Sequence, residues 1–456
     1  MPKLTIDNTP VEVPEGTTIL DAARRIGVNI PTLCYMKDLQ CLGACRVCLV
    51  DVERAKTLVP SCTTPVVDGM VVRTNSGRVR RARRTVVELL LSDHVGECQF
   101  CERNDDCELQ ALARDLGIKD VKFEGEQSEK LFDHSTAALV RDSAKCVLCR
   151  RCVTVCNEVQ DVGALFPQGR GFQTVVGPAF CSDLEQVTCV QCGQCAAVCP
   201  VGAIGERNQV DDVWAALEDP EKTVIVQTAP AIRAALGECF GQEPGTLVTG
   251  KMVSALKRLG FDGVFDTEFA ADLTIMEEGT ELLLRLKKAL LDKEPVALPQ
   301  FTSCCPGWIK YAETFYPEML PHISSCKSPQ QMFGAVAKTY YADKLGKKPE
   351  EIVCVSVMPC TAKKFECARP EMADSGVQDV DIVLTTREFG RMIKESGLDF
   401  DALPETPMDA PFGLNSSGAA DIFANTGGVM EAALRTAYEI VTGKELPFEK
   451  LRVEPI

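Results

Sequence analysis

Four sets of metal-ligating residues precede a cysteine doublet, Cys304-Cys305, in this chain. Cys34, Cys45, Cys48 and Cys62 form the first set, and His94, Cys98, Cys101 and Cys107 the second. Cys146, Cys149, Cys152 and Cys156, then Cys189, Cys192, Cys195 and Cys199 with Pro200 after it, write CxxCxxCxxxC twice, the spacing of paired 4Fe-4S cubanes. In such pairs the fourth cysteine of each motif reaches the other cluster. Cys146, Cys149, Cys152 and Cys199 are therefore expected to hold one cubane, and Cys189, Cys192, Cys195 and Cys156 the second. The set HxxxCxxCxxxxxC places one imidazole among three thiolates, which suits a 4Fe-4S cluster or, by ligand type alone, zinc; its place among redox sites favours iron. The chemistry implied is one-electron transfer along a series of iron-sulfur centres toward a reaction site.

Composition limits the alternatives. The chain has 24 cysteines in 456 residues, yet no basic and apolar N-terminal export signal precedes them, so the thiols read as metal ligands in a reducing compartment, the cytoplasm, rather than as crosslinks. No run of about 18 apolar residues occurs, so no membrane span is expected. A net charge of -16 argues against nucleic acid as a partner. The basic run from Arg78 to Arg84 falls in an expected helix and reads as a solvated or partner-docking face.

The elements that must position these ligands are legible in part. Residues 3–13 alternate like a hairpin, and Thr18 to Ile26 reads as an amphipathic helix. Cys34 follows, then the loop Gly43-Ala44-Cys45-Arg46-Val47-Cys48, whose small residues let backbone N–H groups face a cluster, and a strand from Leu49 to Val52. This arrangement resembles a plant-type 2Fe-2S ferredoxin, with a longer first gap in which Cys41 is an extra thiol outside the ligand set. A helix bearing Val86, Val87, Leu89, Leu90 and Leu91 delivers His94. Beyond residue 209, Thr223 to Gln227, Ala297 to Phe301, Ile352 to Val357 and Asp381 to Leu384 read as short buried strands of a parallel α/β domain. Thr228-Ala229-Pro230, Thr302 to Pro306 and Met358-Pro359-Cys360 then fall at strand carboxyl ends, where α/β folds place their sites.

Thr302-Ser303-Cys304-Cys305-Pro306-Gly307-Trp308 and Met358-Pro359-Cys360-Thr361-Ala362-Lys363-Lys364-Phe365-Glu366 closely resemble two signature motifs of the iron-only (FeFe) hydrogenases, and the upstream sets resemble the accessory clusters of that family's longer members. The resemblance implies an α+β multidomain chain. Its parts are a β-grasp 2Fe-2S ferredoxin domain over 1–78, a small His/Cys3 4Fe-4S domain over 79–125 and a two-4Fe-4S ferredoxin domain over 126–208. An α/β iron-only hydrogenase catalytic domain, C-terminally incomplete, covers 209–456. It further implies reversible reduction of protons to dihydrogen at an H-cluster, a 4Fe-4S cubane joined through a cysteine sulfur to a diiron unit with CO, cyanide and a bridging dithiolate amine. One 2Fe-2S and three accessory 4Fe-4S clusters would feed it, with ferredoxin or flavin- and NADH-handling subunits as electron partners.

By the same resemblance Cys305 and Cys360 are cubane ligands, and Cys304 exchanges a proton with the bridging amine. Lys363 has the charge to pair with a cyanide nitrogen, and Met358 a soft sulfur to pack beside the diiron unit. Ala229, Pro230 and Gln330 match the family's remaining contacts. Glu278 and Glu281 stand one helical turn apart and, bridged by the Ser324 hydroxyl, form with Cys304 a proton relay to solvent. Cys181, Cys239, Cys326, Cys354 and Cys367 fit no ligand pattern and read as small buried apolar residues. Trp308 and the apolar residues of 427–433 read as core.

The family's third motif, with two further cysteines, is not matched, since no cysteine follows Cys367. The expectation is that the 456-residue chain by itself does not hold a stable H-cluster, and that a segment bearing that motif restores it. Two other readings compete. An electron-transfer arm of an NADH or formate dehydrogenase accounts for the first 200 residues but not for Cys304-Cys305 or Met358-Pro359-Cys360, and a non-catalytic hydrogenase-like assembly or sensor protein rests on the missing motif.

Overall fold

Asp7 and Asn8, both with positive φ, turn the strand Lys3–Ile6 back onto Thr9–Glu12, a conformation these two residue types tolerate well. In this computed structural model, which describes residues 1–413 and 417–447, the hairpin belongs to the first of two units. That unit comprises Met1–Cys189 and Gly193–Glu206; the second comprises Val190–Cys192 and the chain from Arg207.

In the first unit the hairpin extends to a five-stranded sheet, ordered Thr9–Glu12, Lys3–Ile6, Met70–Arg73, Leu49–Val52, Val59–Pro60. Lys3–Ile6 runs parallel to Met70–Arg73, and the other neighbours are antiparallel. Helix Ile19–Arg25 starts at Thr18, whose hydroxyl accepts from the Asp21 N–H at 3.1 Å, and buries Ile19, Leu20, Ala22 and Ala23 in the core of that sheet. Ile19 and Leu20, each fully buried, contribute about 1.5–3 kcal/mol apiece.

Helix Gly77–Asp93 is capped by Ser76 and carries Val87 into a second core with Leu33, Leu109, Leu112, Val147 and Val201. Cys34, Cys45, Cys149 and Cys199 share that interior. The basic run on this helix is not uniformly solvated: Arg83 is buried and donates through Nε and Nη2 to the Leu49 carbonyl at 3.1 and 2.7 Å. A helix face packed on a strand end satisfies that carbonyl with the guanidinium while the methylene stem fills the core. Further on, Ile204–Glu206, Leu139–Asp142 and Phe132–Asp133 form an antiparallel sheet. Cys181 is exposed, against the expectation of burial; it has φ 56° and follows the solvent-facing Phe180 in a loop with no core to enter.

The second unit is built on a four-stranded parallel sheet ordered Gly263–Asp266, Thr223–Thr228, Ile352–Met358, Ile382–Thr385. Thr223–Thr228 is buried at every position, as expected for a parallel strand covered on both faces. Ala297 to Phe301 is not part of this sheet. Only Phe301 forms a bridge, to Ile323. Pro299 removes a ladder donor from the middle of the segment, which excludes it from a central position. The edge place is taken by Gly263–Asp266. Trp308 is half-buried, edge-on to Phe301, and of residues 427–433 Gly428 and Ala432 are buried while Met430 is 49 % exposed. No helix among the described residues is long and apolar enough to cross a membrane.

Candidate active site and electron-transfer sites

The carboxyl ends of Thr223–Thr228 and Ile352–Met358 are bonded side by side, the Ala229 N–H donating to the Val357 carbonyl at 3.0 Å. Met358 is buried there and Cys360 follows two residues on, before helix Ala362–Cys367. Cys305 is the N-cap of helix Pro306–Phe315, with Pro306 opening its first turn, a position where the missing N–H costs nothing. Lys363 joins these segments. Its Nζ donates to the Cys304 carbonyl at 2.8 Å and to Glu366 Oε2 at 3.0 Å. Gln330, buried, donates to the same Glu366 oxygen at 3.1 Å and accepts from Ser356 Oγ at 3.0 Å, while Gln227 Nε2 donates to its carbonyl at 2.9 Å. Ala229 is buried and Pro230 exposed. Cys305 and Cys360 lie close enough for their thiolates to repel; burial, mainly, pushes the Cys360 thiol up. Burial likewise raises Cys304, outweighing the nearby Lys363, so Cys304 is a protonated thiol at neutral pH.

A chain of polar groups leads away from Cys304. Glu278, on helix Glu268–Lys287, is buried; its Oε2 accepts from Thr302 Oγ1 at 2.9 Å and its Oε1 has no hydrogen-bond partner. Ser324 Oγ donates to Glu281 Oε2 at 2.8 Å and also faces Glu278. The two carboxyls are pushed apart in acidity. Burial raises Glu278, the dominant effect there. At Glu281 burial acts in the same sense but is outweighed by Ser324, Arg285 and the Ser325 N–H, so that carboxyl is held low. Arg285 Nη2 lies 2.6 Å from Glu281 Oε1. Environments that push two neighbouring carboxyls apart in this way suit them to different acid–base roles. Arg285, Thr302 and Glu366 were not singled out from the sequence. Arg285 follows Glu281 by four and Glu366 follows Lys363 by three, spacings that put each pair on one helix face.

Among the accessory sets, Cys146, Cys149, Cys152 and Cys199 line one cavity with Val147, Val176 and Val201. Burial pushes Cys146 up to about 11 and Cys149 up to about 12, and Cys152 well above the thiol range. Four thiolates would persist there only with cationic charge at their centre. Among the described residues no three His, Cys, Asp or Glu side chains converge as tightly as a single ion requires; these four surround a cavity instead. Cys48 Sγ and Cys62 Sγ are 3.4 Å apart, and Cys34 is hydrogen-bonded to Cys45. Cys41 is exposed and donates to the Cys62 carbonyl. His94 ends helix Gly77–Asp93, and its Nδ1 is buried without a hydrogen-bond partner. Cys98 is exposed, whereas Cys101 and Cys107 are half-buried. Cys156, Cys189 and Cys195 belong to the first unit and Cys192 to the second, where a Cβ on Gly307 would lie 3.7 Å from Cys192 Cβ and 4.0 Å from Cys305 Sγ.

Residues 222–454 match the family described as iron only hydrogenase large subunit, C-terminal domain. The chain is 56 % identical over 458 residues to the NADP-reducing hydrogenase subunit HndD of Solidesulfovibrio fructosivorans, covering 98 % of this chain and 78 % of the relative. It belongs to the iron-only hydrogenase large subunits. Iron hydrogenase 1 of Clostridium pasteurianum is 41 % identical, over 98 % of this chain and 77 % of its own. The apo FeFe-hydrogenase HydA1 of Chlamydomonas reinhardtii is 47 % identical over 54 % of this chain and 63 % of its own, with a TM-score of 0.47. The chain thus spans about three-quarters of these curated relatives. Residues 2–77 match a 2Fe-2S iron-sulfur cluster binding domain, 83–122 the NADH-ubiquinone oxidoreductase-G iron-sulfur binding region, and 145–203 a 4Fe-4S dicluster domain. The hydrogenase is therefore a multidomain α+β oxidoreductase in which iron-sulfur domains relay electrons to hydrogenase catalysis.

The residues present fit these groups. The four thiols lining one cavity and the buried His94 Nδ1 without a hydrogen-bond partner suit a cationic group. Gly202 adds a steric test, because a Cβ there would lie 2.6 Å from Cys101 Sγ. Gly202→Ala is expected to displace that thiol and to lower iron by about four atoms per chain, the content of one cubane, with the other cluster signals intact. Chemical iron analysis and EPR of the reduced protein check this; a full iron complement would remove Cys101 from the ligand set.

Proposed function

We propose that this hydrogenase interconverts protons and dihydrogen as the catalytic subunit of an NAD(P)-linked complex in the cytoplasm. The observation carrying the reading is the convergence of Cys304, Cys305, Cys360, Lys363, Met358 and Gln330 at one end of the parallel sheet, with Glu278 and Glu281 leading away. When bound, the H-cluster supplies the redox chemistry at which dihydrogen forms or splits. Cys305 and Cys360 would hold its cubane. Lys363, oriented by Glu366 and the Cys304 carbonyl, would bind an anionic ligand of the diiron unit, Met358 and Ala229 would exclude water, and Cys304 would hold or release the proton.

Electrons would travel through one 2Fe-2S cluster, on Cys34, Cys45, Cys48 and Cys62, and three 4Fe-4S clusters. These sit on His94, Cys98, Cys101 and Cys107; on Cys146, Cys149, Cys152 and Cys199; and on Cys189, Cys192, Cys195 and Cys156. A flavin- and NAD(P)-handling subunit is the favoured partner, because the relative of highest identity among those above is named an NADP-reducing subunit. Reconstituted protein is expected to contain about 14 accessory iron atoms per chain, and the complete, matured holoenzyme to take up dihydrogen with a dye acceptor, passing electrons to NADP+ only with the flavin subunit added. Zinc at His94 would refute that site, and direct reduction of ferredoxin without NADP+ reduction would refute the partner.

A further inference from the structure

A buried cation stands where three ligand loops of the first unit meet. Arg151 lies between Cys149 and Cys152 in sequence, opens the short helix Arg151–Thr154 and is 9 % exposed. Its Nη1 and Nη2 donate to the two Glu108 oxygens at 2.5 and 2.9 Å, and Glu108 directly follows Cys107. On another side the buried Gln40 donates from Nε2 to the carbonyls of both Cys34, at 2.6 Å, and Cys149, at 3.0 Å. The 2Fe-2S loop and the first cubane loop are thereby tied together beside one guanidinium. Arg151 Nε is buried with no hydrogen-bond partner.

An ion pair alone does not account for this placement. The bidentate pair with Glu108 offsets the burial of the guanidinium, yet Nε stays buried with its donor unmet, which is unfavourable. Two apolar side chains would staple the loops at lower cost, so the charge itself has a use. We propose that Arg151 sets the reduction potentials of the clusters on Cys34/Cys45/Cys48/Cys62 and Cys146/Cys149/Cys152/Cys199, raising both above what a neutral side chain there would give, with Glu108 moderating the effect. The inference rests on the ligand sets proposed above.

Reducing either cluster adds one electron and one negative charge; no bond forms or breaks, and Arg151 stays protonated because, although burial acts to lower its pKa, the Glu108 carboxylate more than offsets it and holds the guanidinium charged. Its field therefore stabilises the reduced form. The test is a potentiometric EPR titration of the full reconstituted chain, with iron content measured in parallel. Arg151→Met should lower both potentials, changing the reduced-to-oxidised ratio at fixed potential on the order of tenfold, about 59 mV for a one-electron couple. Arg151→Lys should stay near wild type, and Glu108→Gln should move both potentials up. Loss of a full cluster in every variant, wild type included, would refute the ligand sets rather than this inference. With iron retained, unchanged potentials in Arg151→Met, or shifts of one sign in Arg151→Met and Glu108→Gln, would overturn it. If Arg151→Met alone loses iron, the upward shift in Glu108→Gln and the wild-type potentials of Arg151→Lys must both be found for the proposal to stand.

Discussion

Cys304→Ala is expected to slow dihydrogen turnover of the holoenzyme by about 10²- to 10⁴-fold, the range for loss of a positioned acid, while iron content and cluster spectra stay unchanged. The substitution removes a thiol that burial keeps protonated but leaves the main-chain carbonyl that receives Lys363 Nζ at 2.8 Å. Lys363 thus keeps both anchors, the carbonyl and Glu366, and the loss isolates proton transfer from anion binding. Cys304→Asp restores an exchangeable proton at nearly the same reach and should recover part of the rate. A wild-type rate in Cys304→Ala, or loss of iron from it, would remove Cys304 from the acid role.

What the sequence disclosed followed the range of the interactions involved. Ligand spacing is local: three cysteines of each motif sit within one loop and the repeat pairs Cys199 with the first set, so a grouping of these four thiols, which line one cavity, is readable from the sequence. Glu278 and Glu281 on one helix face were readable for the same reason. Short buried strands were not. Gly263–Asp266 is four residues long and lies wholly inside, a length at which apolar runs carry no period, whereas Ala297 to Phe301 looks like a strand until Pro299 within it is weighed. Arg83 and Cys181 erred in opposite directions, because a surface-type residue found a strand carbonyl to cap and a core-type residue fell in a loop with positive φ. Glu366 and Arg285 were within reach of sequence reasoning, as i+3 and i+4 partners of residues already in hand.

Glu278→Gln, Glu281→Gln and Ser324→Ala are each expected to slow turnover on the order of 10²-fold or more, since each breaks one link between Cys304 and solvent. Glu278 is expected to be the inner carrier: burial raises its pKa and its Oε1 has no hydrogen-bond partner, so it would take up and give up a proton more readily near neutral pH than an exposed carboxyl. Glu281 is the outer anion, held low by Ser324 and Arg285 against the opposing effect of burial. The signs fix a second observable. Removing the guanidinium in Arg285→Gln withdraws a stabiliser of the Glu281 anion, so its pKa rises and the acid limb of the pH-rate profile moves to higher pH, with a smaller loss of rate at the optimum than in Glu281→Gln. Glu278→Gln deletes the raised carboxyl and should instead flatten the limb it controls. Wild-type rates in all three relay variants would show that protons reach Cys304 by another route; an unshifted acid limb in Arg285→Gln would show that Glu281 does not govern it.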